Sequence, residues 1–260
     1  MVDDAIAGAR TNEAHSTDSL KREILLAFHI LDLNGQNSGI AGHLTARQPG
    51  GDRFWCHGYG QGFDEVRAAD LHCADLDLHL VSGRDRISPS LAIHSAIYRA
   101  RPDVACVIHT HDLDAVALTA AGADLQPLYQ SALMFAGEIA THVDYGGIVD
   151  TAESGRALAD ALGPRRALLL ANHGTLVVGA SIREAVHATI MLAEACRVQL
   201  KAMNAAPTRP LQSVDATTAA EAKRFLLSER VLALRWDYYV RRALGAKPWL
   251  AAELAAAESP

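Results

Sequence analysis

The chain has 260 residues and a formal net charge of −6, with 50% hydrophobic and 21% charged residues. This composition is typical of a globular domain with a large core, and the negative charge argues against nucleic acid as a partner. No run reaches the roughly 20 apolar residues of a membrane span, and the acidic start Met1–Asp4 lacks a hydrophobic signal segment. We therefore expect a cytoplasmic protein without membrane contact. Four cysteines without paired spacing are expected to be core thiols.

The hydrophobic periodicity predicts helices mixed with short strands. The first half predicts a disordered lead-in over 1–17, a helix over Ser19–Leu33 ended by Asn34-Gly35, strands near Arg53–Cys56, Leu71–Asp75 and Leu78–Val81, and a helix from Ser88-Pro89 to about Ala100. The second half predicts strands at Val104–Ile108, Ala167–Leu170 and Thr175–Val178, and helices at Thr151–Leu162, from Ile182 to about Met203, at 217–232 and at 235–244. Residues 246–260, rich in alanine and glutamate, are expected to form a C-terminal tail, a frayed helix. Short strands without regular strand–helix alternation favour an α+β fold in which helices sandwich a largely antiparallel sheet.

Two apolar runs, Val107–His111 and Leu168–Gly174, each carry histidine at their polar end. In a strand, side chains two residues apart share one face, so His109 and His111 are predicted to point the same way. With His173 they would form a three-histidine metal site with open coordination positions, which suits catalysis. Spacing alone also allows two unrelated groups of strand-end histidines near a loop.

Three segments, in this order and spacing, resemble the class II aldolase/adducin family over about residues 18–245. They are Gly39–Arg47, His94–His111 and Asn172–Thr175. The resemblance implies one domain with a three-layer α/β/α fold around a central antiparallel sheet, assembled as a homotetramer with sites at subunit interfaces. It also implies one divalent metal per subunit on His109, His111 and His173, and a small-molecule substrate. Zinc, manganese and iron(II) all suit imidazole ligands.

The chain departs from the sugar-phosphate aldolases of that family at the loops expected around the site. Their Ser-Ser-Glu turn corresponds here to Ser88-Pro89-Ser90, so Ser90 stands at the position of the general base and Pro89 lacks an N–H for an anion. His43 replaces a common asparagine, and His57-Gly58 replaces the small Thr/Gly phosphate turn. The substrate is therefore expected to lack a phosphate.

Other polar residues are further candidates for the site. The substrate-binding candidates are His43, His57, Gln130 and His94, and the catalytic candidates are Tyr129, Ser90 and Glu138. Four of these have structural alternatives: His43 and His57 as solvated histidines of glycine-flanked loops, His94 as a core or ligand-orienting histidine, and Tyr129 as a packed interface residue instead of a proton donor. Glu138 is the nearest carboxylate in its segment and hence a candidate base.

Three classes of function remain open from the sequence. The first is a metal-dependent lyase, a decarboxylase or aldolase acting on a small non-phosphorylated hydroxy or oxo acid. The second is a non-haem iron(II) oxygenase of the aminocoumarin-pathway type, which the same three histidines would serve without a glutamate base. The third is a non-catalytic interaction module resembling the adducin head domain, and retention of all three histidines weighs against it.

Overall fold

A mixed eight-stranded sheet forms the centre of the protein. The computed structural model describes residues 17–48, 51–84, 86–147 and 149–256. In sheet order β4-β3-β2-β1-β5-β8-β7-β6, neighbouring strands pair antiparallel except β6 and β7, which are parallel. The strands are β1 His43–Arg47, β2 Arg53–His57, β3 Leu71–Asp75, β4 Leu80–Ser82, β5 Cys106–Thr110, β6 Ile139–His142, β7 Ala167–Leu170 and β8 Gly174–Gly179.

Helices cover both faces of this sheet and so confirm the predicted three-layer α/β/α arrangement. The α-helices are α1 Thr17–Leu33, α2 Ala92–Ala100, α3 Leu113–Ala120, α4 Ala152–Leu162, α5 Ile182–Ala205, α6 Ala216–Leu226, α7 Glu229–Ala246 and α8 Trp249–Ala256. One core lies between the sheet and α1, α5 and α7, and a second lies between the sheet and α2 and α4. No described helix combines the length and the apolar character needed to cross a bilayer.

The alternation of side chains along β5 decides which face carries the metal candidates. Cys106 and Ile108 belong to the core under α1 and α5, whereas Val107 belongs to the core under α2 and α4. Because side chains alternate along a strand, His109 lies on the α2/α4 side and Thr110 on the α1 side. The central strand therefore presents its histidine to one layer and its hydroxyl to the other.

The structure corrects several predicted boundaries. Residues expected to be a loop up to His43 lead directly into β1, whose Leu44 and Ala46 are fully buried. Helix α3, capped by the side chain of Asp112, and strand β6 were not predicted, because both are short. The break between the late helices falls near Ser228, whose hydroxyl donates to the carbonyl of Phe225. It therefore precedes the predicted boundary at 232–235.

Both ends of the described chain also differ from the predictions. Helix α1 already begins at Thr17, inside the expected lead-in, and residues 1–16 lie outside the described part. The expected frayed tail contains α8, whose Leu250 and Leu254 are buried in the core beside α1. Just before it, the ammonium of Lys247 donates to His29 Nδ1 at 3.0 Å and to Asp32 Oδ2 at 2.8 Å. The segment just before α8 is thus hydrogen-bonded to α1.

Candidate metal centre

The three candidate histidines meet at one edge of the sheet. Strands β5 and β8 pair with Thr110 opposite Thr175, so the residues that follow β5 and precede β8 lie side by side. Gly174 makes this closeness possible, because a Cβ there would lie 2.3 Å from the carbonyl oxygen of Thr110. The turn from β7 into β8 passes through Asn172 at φ 58°, a left-handed conformation that asparagine tolerates better than most residues.

The imidazole Nε2 atoms of these histidines converge. His111 Nε2 lies 3.0 Å from His109 Nε2 and 3.1 Å from His173 Nε2. Nitrogens that share one ion at about 2.1 Å lie about 3 Å apart when their bonds meet at a right angle. Among the described residues, this is a group of three whose ligand atoms all fall within 4.8 Å of one another. The donor set therefore fits a divalent cation.

The protonation state of His109 is fixed by a strand neighbour. Its Nδ1 lies 2.9 Å from the carbonyl oxygen of Thr175, which only accepts, so Nδ1 carries the proton and Nε2 keeps a free lone pair. Burial, reinforced by His43, holds the pKa of His109 well below its usual value, and burial also lowers the pKa of His111 and His173. The three rings are accordingly neutral near pH 7 and able to bind a metal.

A buried polar network supports the cluster from the α1 side of the sheet. The Thr110 hydroxyl donates to Gln36 Oε1 at 2.9 Å and lies 3.1 Å from the Thr175 hydroxyl. Gln36 Nε2 in turn donates to Asp112 Oδ2 at 2.9 Å. Since all four side chains are buried, each bond lacks competition from water. This network fixes the backbone on both sides of His111.

His43 is brought to the cluster, as the sequence analysis expected. It lies opposite His109 in the β1–β5 register, and the two rings stack at 5.5 Å. Its Nε2 is 3.2 Å from the hydroxyl of Ser88, while Nδ1 is buried without a protein partner among the described residues. Burial and the neighbouring His57 lower the pKa of His43 to about 3. A neutral imidazole with one unpartnered nitrogen therefore borders the candidate ligands.

His94 lies one layer behind His43. Its side chain is fully buried on α2, its Nδ1 is 2.8 Å from the Thr45 hydroxyl, and its ring meets His43 edge-on at 5.9 Å. Thr45 also contacts the hydroxyl of Tyr98 at 2.8 Å. This arrangement favours the interpretation of His94 as a buried core histidine over its prediction as a substrate-binding residue.

His57 packs on the other side of the sheet. Its ring contacts Phe28 at 4.8 Å and Phe63 at 5.8 Å, both in the core beneath α1. Side-chain alternation along β2 explains this, because Cys56 takes the face that His109 shares. Burial lowers the pKa of His57 to about 4.

The remaining candidates make their contacts away from the three imidazoles. The Tyr129 hydroxyl donates to Glu194 of α5 at 3.0 Å, and Gln130 is exposed at the start of a short 3-10 helix. Glu138 pairs with Lys223 at 2.9 Å. It precedes β6 and lies about 13 Å along the strand direction from His142, which is at the end of β6 nearest the three candidate histidines. Partly exposed Ser90 donates its backbone N–H to the Ser88 hydroxyl.

Two residues near the cluster were missed by the sequence analysis. Ser88 was treated as the start of a helix and as part of the Ser88-Pro89-Ser90 turn, and the contact of its hydroxyl with His43 was not foreseen. Tyr145 places its ring edge-on to His173 at a centroid distance of 6.2 Å and is 61% exposed. The signal for Tyr145 was a tyrosine in the segment Asp144–Gly147, which follows an undetected strand.

The sheet topology and the site define an α/β protein with a cluster of three histidines at strand ends that could hold a metal ion. The profile of the Class II Aldolase and Adducin N-terminal domain matches residues 22–200. The chain belongs to this family.

Similar proteins include enzymes of different reaction types. The 4-hydroxy-3-prenylphenylpyruvate oxygenase/4-hydroxy-3-prenylbenzoate synthase of Streptomyces roseochromogenus subsp. oscitans is 34% identical over 193 residues, covering 73% of this chain and 70% of the relative. Decarboxylase NovR of Streptomyces niveus is 34% identical over 184 residues, covering 70% and 68%. The L-fuculose 1-phosphate aldolase from Glaciozyma antarctica PI12 superposes with a TM-score of 0.79 at 28% identity, covering 89% and 90%.

Removal of a single histidine should abolish metal binding. We expect His109→Ala and His173→Ala to lose affinity for a divalent metal by more than about 100-fold, because even the loss of a ligand's hydrogen-bond partner costs 10–100-fold. Metal analysis after dialysis, with circular dichroism to verify folding, measures this. His79→Ala, at an exposed position, serves as the control and should keep full occupancy. Full occupancy in either cluster variant would refute the assignment.

Proposed function

We propose that this protein is a divalent-metal-dependent lyase that cleaves a carbon–carbon bond in a small, non-phosphorylated hydroxy or oxo acid. His109, His111 and His173 would hold the cation. The convergence of their Nε2 atoms, with the His109 Nδ1 proton committed to Thr175, is the observation that carries the proposal. The family relationship to aldolases and to a decarboxylase supports the same reaction class.

The roles of the protein groups follow from the electrostatics of the cluster. A cation held by three neutral imidazoles keeps its full charge, and this charge would stabilise an enolate formed when the adjacent bond breaks. The chain's own residues would fix that charge in place, since Thr175 orients His109 and the stacked ring of His43 limits its rotation. His43 would also offer its unpartnered Nδ1 as a polar contact for a chelating acid.

The turn beside His43 is poorly suited to bind a phosphate, which is why the proposed substrate lacks one. Ser88 contacts His43, Pro89 has no N–H, and the N–H of Ser90 is taken by the Ser88 hydroxyl. A phosphate would therefore find few of the backbone donors that anion sites use. Ser90 also has no carboxylate to accept a proton, so the proposed reaction does not depend on a glutamate at that position.

Sugar phosphates should be poor substrates. We expect no useful cleavage of fuculose 1-phosphate or rhamnulose 1-phosphate by the metal-loaded protein, and turnover above roughly 1 per second would contradict the proposal. A coupled aldehyde assay measures it. Ser90→Glu alone should not create the activity, because Pro89 still offers no N–H to a phosphate.

A non-haem iron(II) oxygenase is the second candidate. The supporting observation is that, among the described residues, the metal-ligand group contains imidazoles alone, which leaves several coordination positions open and supplies no carboxylate base. The similarity to the prenylphenylpyruvate oxygenase points in the same direction. An adducin-like module without catalysis is less favoured, because it gives no reason for three converging neutral imidazoles.

Metal content and oxygen dependence should separate these two enzyme classes. Protein purified without oxygen is expected to contain zinc or manganese and to act on its substrate at the same rate with and without dioxygen, if it is the lyase. Elemental analysis and an oxygen electrode measure both properties. Stoichiometric iron together with uptake of dioxygen in the presence of a 2-oxo or 2-hydroxy acid would instead favour the oxygenase.

We also propose that the chain assembles as a homotetramer around its sites. Several large apolar side chains near the cluster are more than half exposed in the single chain, namely Ile40, Leu113, Val143 and Tyr145. Leu113 follows His111 by two residues, and Ile40 follows Ser38, whose hydroxyl accepts the His111 N–H. Apolar surface of this kind is usually covered in symmetric oligomers.

Light scattering on the purified protein should give a mass near four times 27.8 kDa. If neighbouring chains complete each site, dilution to monomer should lower activity before it lowers helical content by circular dichroism. A fully active monomer of 27.8 kDa would contradict the assembly proposal.

A further inference from the structure

A cavity of about 120 Å³ lies directly beside the metal candidates. His173 belongs to its wall, opposite apolar side chains from β7, α4 and the loop between β6 and α4. The residues that line this cavity include Tyr145, Val149, Ala157, Leu158, Leu170 and His173. Since His173 is shared, a ligand held at the three imidazoles would have this cavity as its neighbour.

We infer that this cavity binds an uncharged apolar group, a phenyl ring or a branched alkyl chain, carried by the same acid that chelates the metal. The inference rests on the proposed function and makes its substrate class more specific. It selects hydroxy or oxo acids with a bulky apolar substituent over short ones such as lactate or pyruvate.

The size of the cavity supports an occupant of this kind. An apolar protein cavity of about 150 Å³ is large enough for benzene, and the present one, at about 120 Å³, is only slightly smaller. Exposed Ala157 and half-buried Ser154 on its α4 side leave room for the ring to extend outwards. A methyl group would fill only a small part of this volume, so most of the apolar wall would stay in contact with water.

Charge around the cavity argues against a second anionic group. Asp144 lies at its exposed side, and its described lining residues include neither lysine nor arginine. A phosphate or second carboxylate placed there would face a like charge without a cation to pair with. An uncharged substituent meets no such cost and can pack against Val149, Leu158 and Leu170.

Tyr145 adds a preference for a planar substituent. Its ring stands at 87° to His173, with 61% of the residue exposed, so an aromatic surface is available beside the cavity. Aromatic pairs in offset or edge-to-face arrangements contribute more than their buried area alone. The tyrosine thus connects the chelating position with the apolar wall.

Binding of two acids that share the same chelating groups tests the inference. Titration calorimetry of the metal-loaded protein, without oxygen, compares lactate with 3-phenyllactate. We expect 3-phenyllactate to bind at least about tenfold more tightly, since even smaller apolar differences change discrimination by 10-fold or more. In Ala157→Phe, the new ring should fill the cavity, lower the affinity for 3-phenyllactate about tenfold and leave that for lactate unchanged.

Ala152→Phe is the matched control, since Ala152 is an exposed residue of the same helix outside this cavity. It should bind both acids as the unmodified protein does. Equal affinities for the two acids, or an equal loss of both in Ala157→Phe, would overturn the cavity assignment while leaving the metal-dependent lyase in place. Absence of binding for both acids in the unmodified, metal-loaded protein would overturn the proposed substrate class and this inference together.

Discussion

The pairing of β5 with β8 is the constraint on which the site depends. With Thr110 opposite Thr175, the ends of two strands far apart in sequence deliver three imidazoles to one point. The same register places the carbonyl oxygen of Thr175 against His109 Nδ1. A shift by one residue would turn His109 to the other face of the sheet. Backbone hydrogen bonding therefore determines the chemistry of the centre as well as its position.

Burial keeps the histidines around the cluster uncharged. The pKa of His43 falls to about 3 and that of His57 to about 4, mainly because both rings are removed from water. Neutral imidazoles can stack, accept hydrogen bonds or bind a metal, whereas protonated ones would repel both a cation and one another. The protein thus concentrates many histidines near one sheet edge without concentrating positive charge there.

Much of the fold could be predicted because many of its helices and strands carry a clear hydrophobic pattern. The helix near Ser19–Leu33 and the strand Ala167–Leu170 were located to within about two residues. The convergence of His109, His111 and His173 was also foreseen, since the strand period fixes the first pair and the family resemblance supplies the third.

What escaped prediction depends on contacts between distant segments. Strand β1 lies in a segment that was expected to be a glycine-flanked loop, and helix α3 is short. Which face of the sheet carries His57 depends on a strand register that only pairing reveals. Tyr145 and the cavity beside it arise from a loop, β7 and α4 meeting in space. The single sequence contains no local pattern for such a meeting.

The contact of Lys247 with His29 and Asp32 has a consequence for how the chain tolerates changes at its end. The ammonium lies mostly out of solvent, and it supplies the hydrogen-bond donor for a fully buried imidazole. A shortened chain that ends before Lys247 would leave His29 Nδ1 and the Asp32 carboxylate without this donor, and it would remove Leu250 and Leu254 from the core beside α1. Affinity tags and fusion partners therefore belong after residue 256, where they leave the contacts of Lys247 with α1 and the packing of α8 intact.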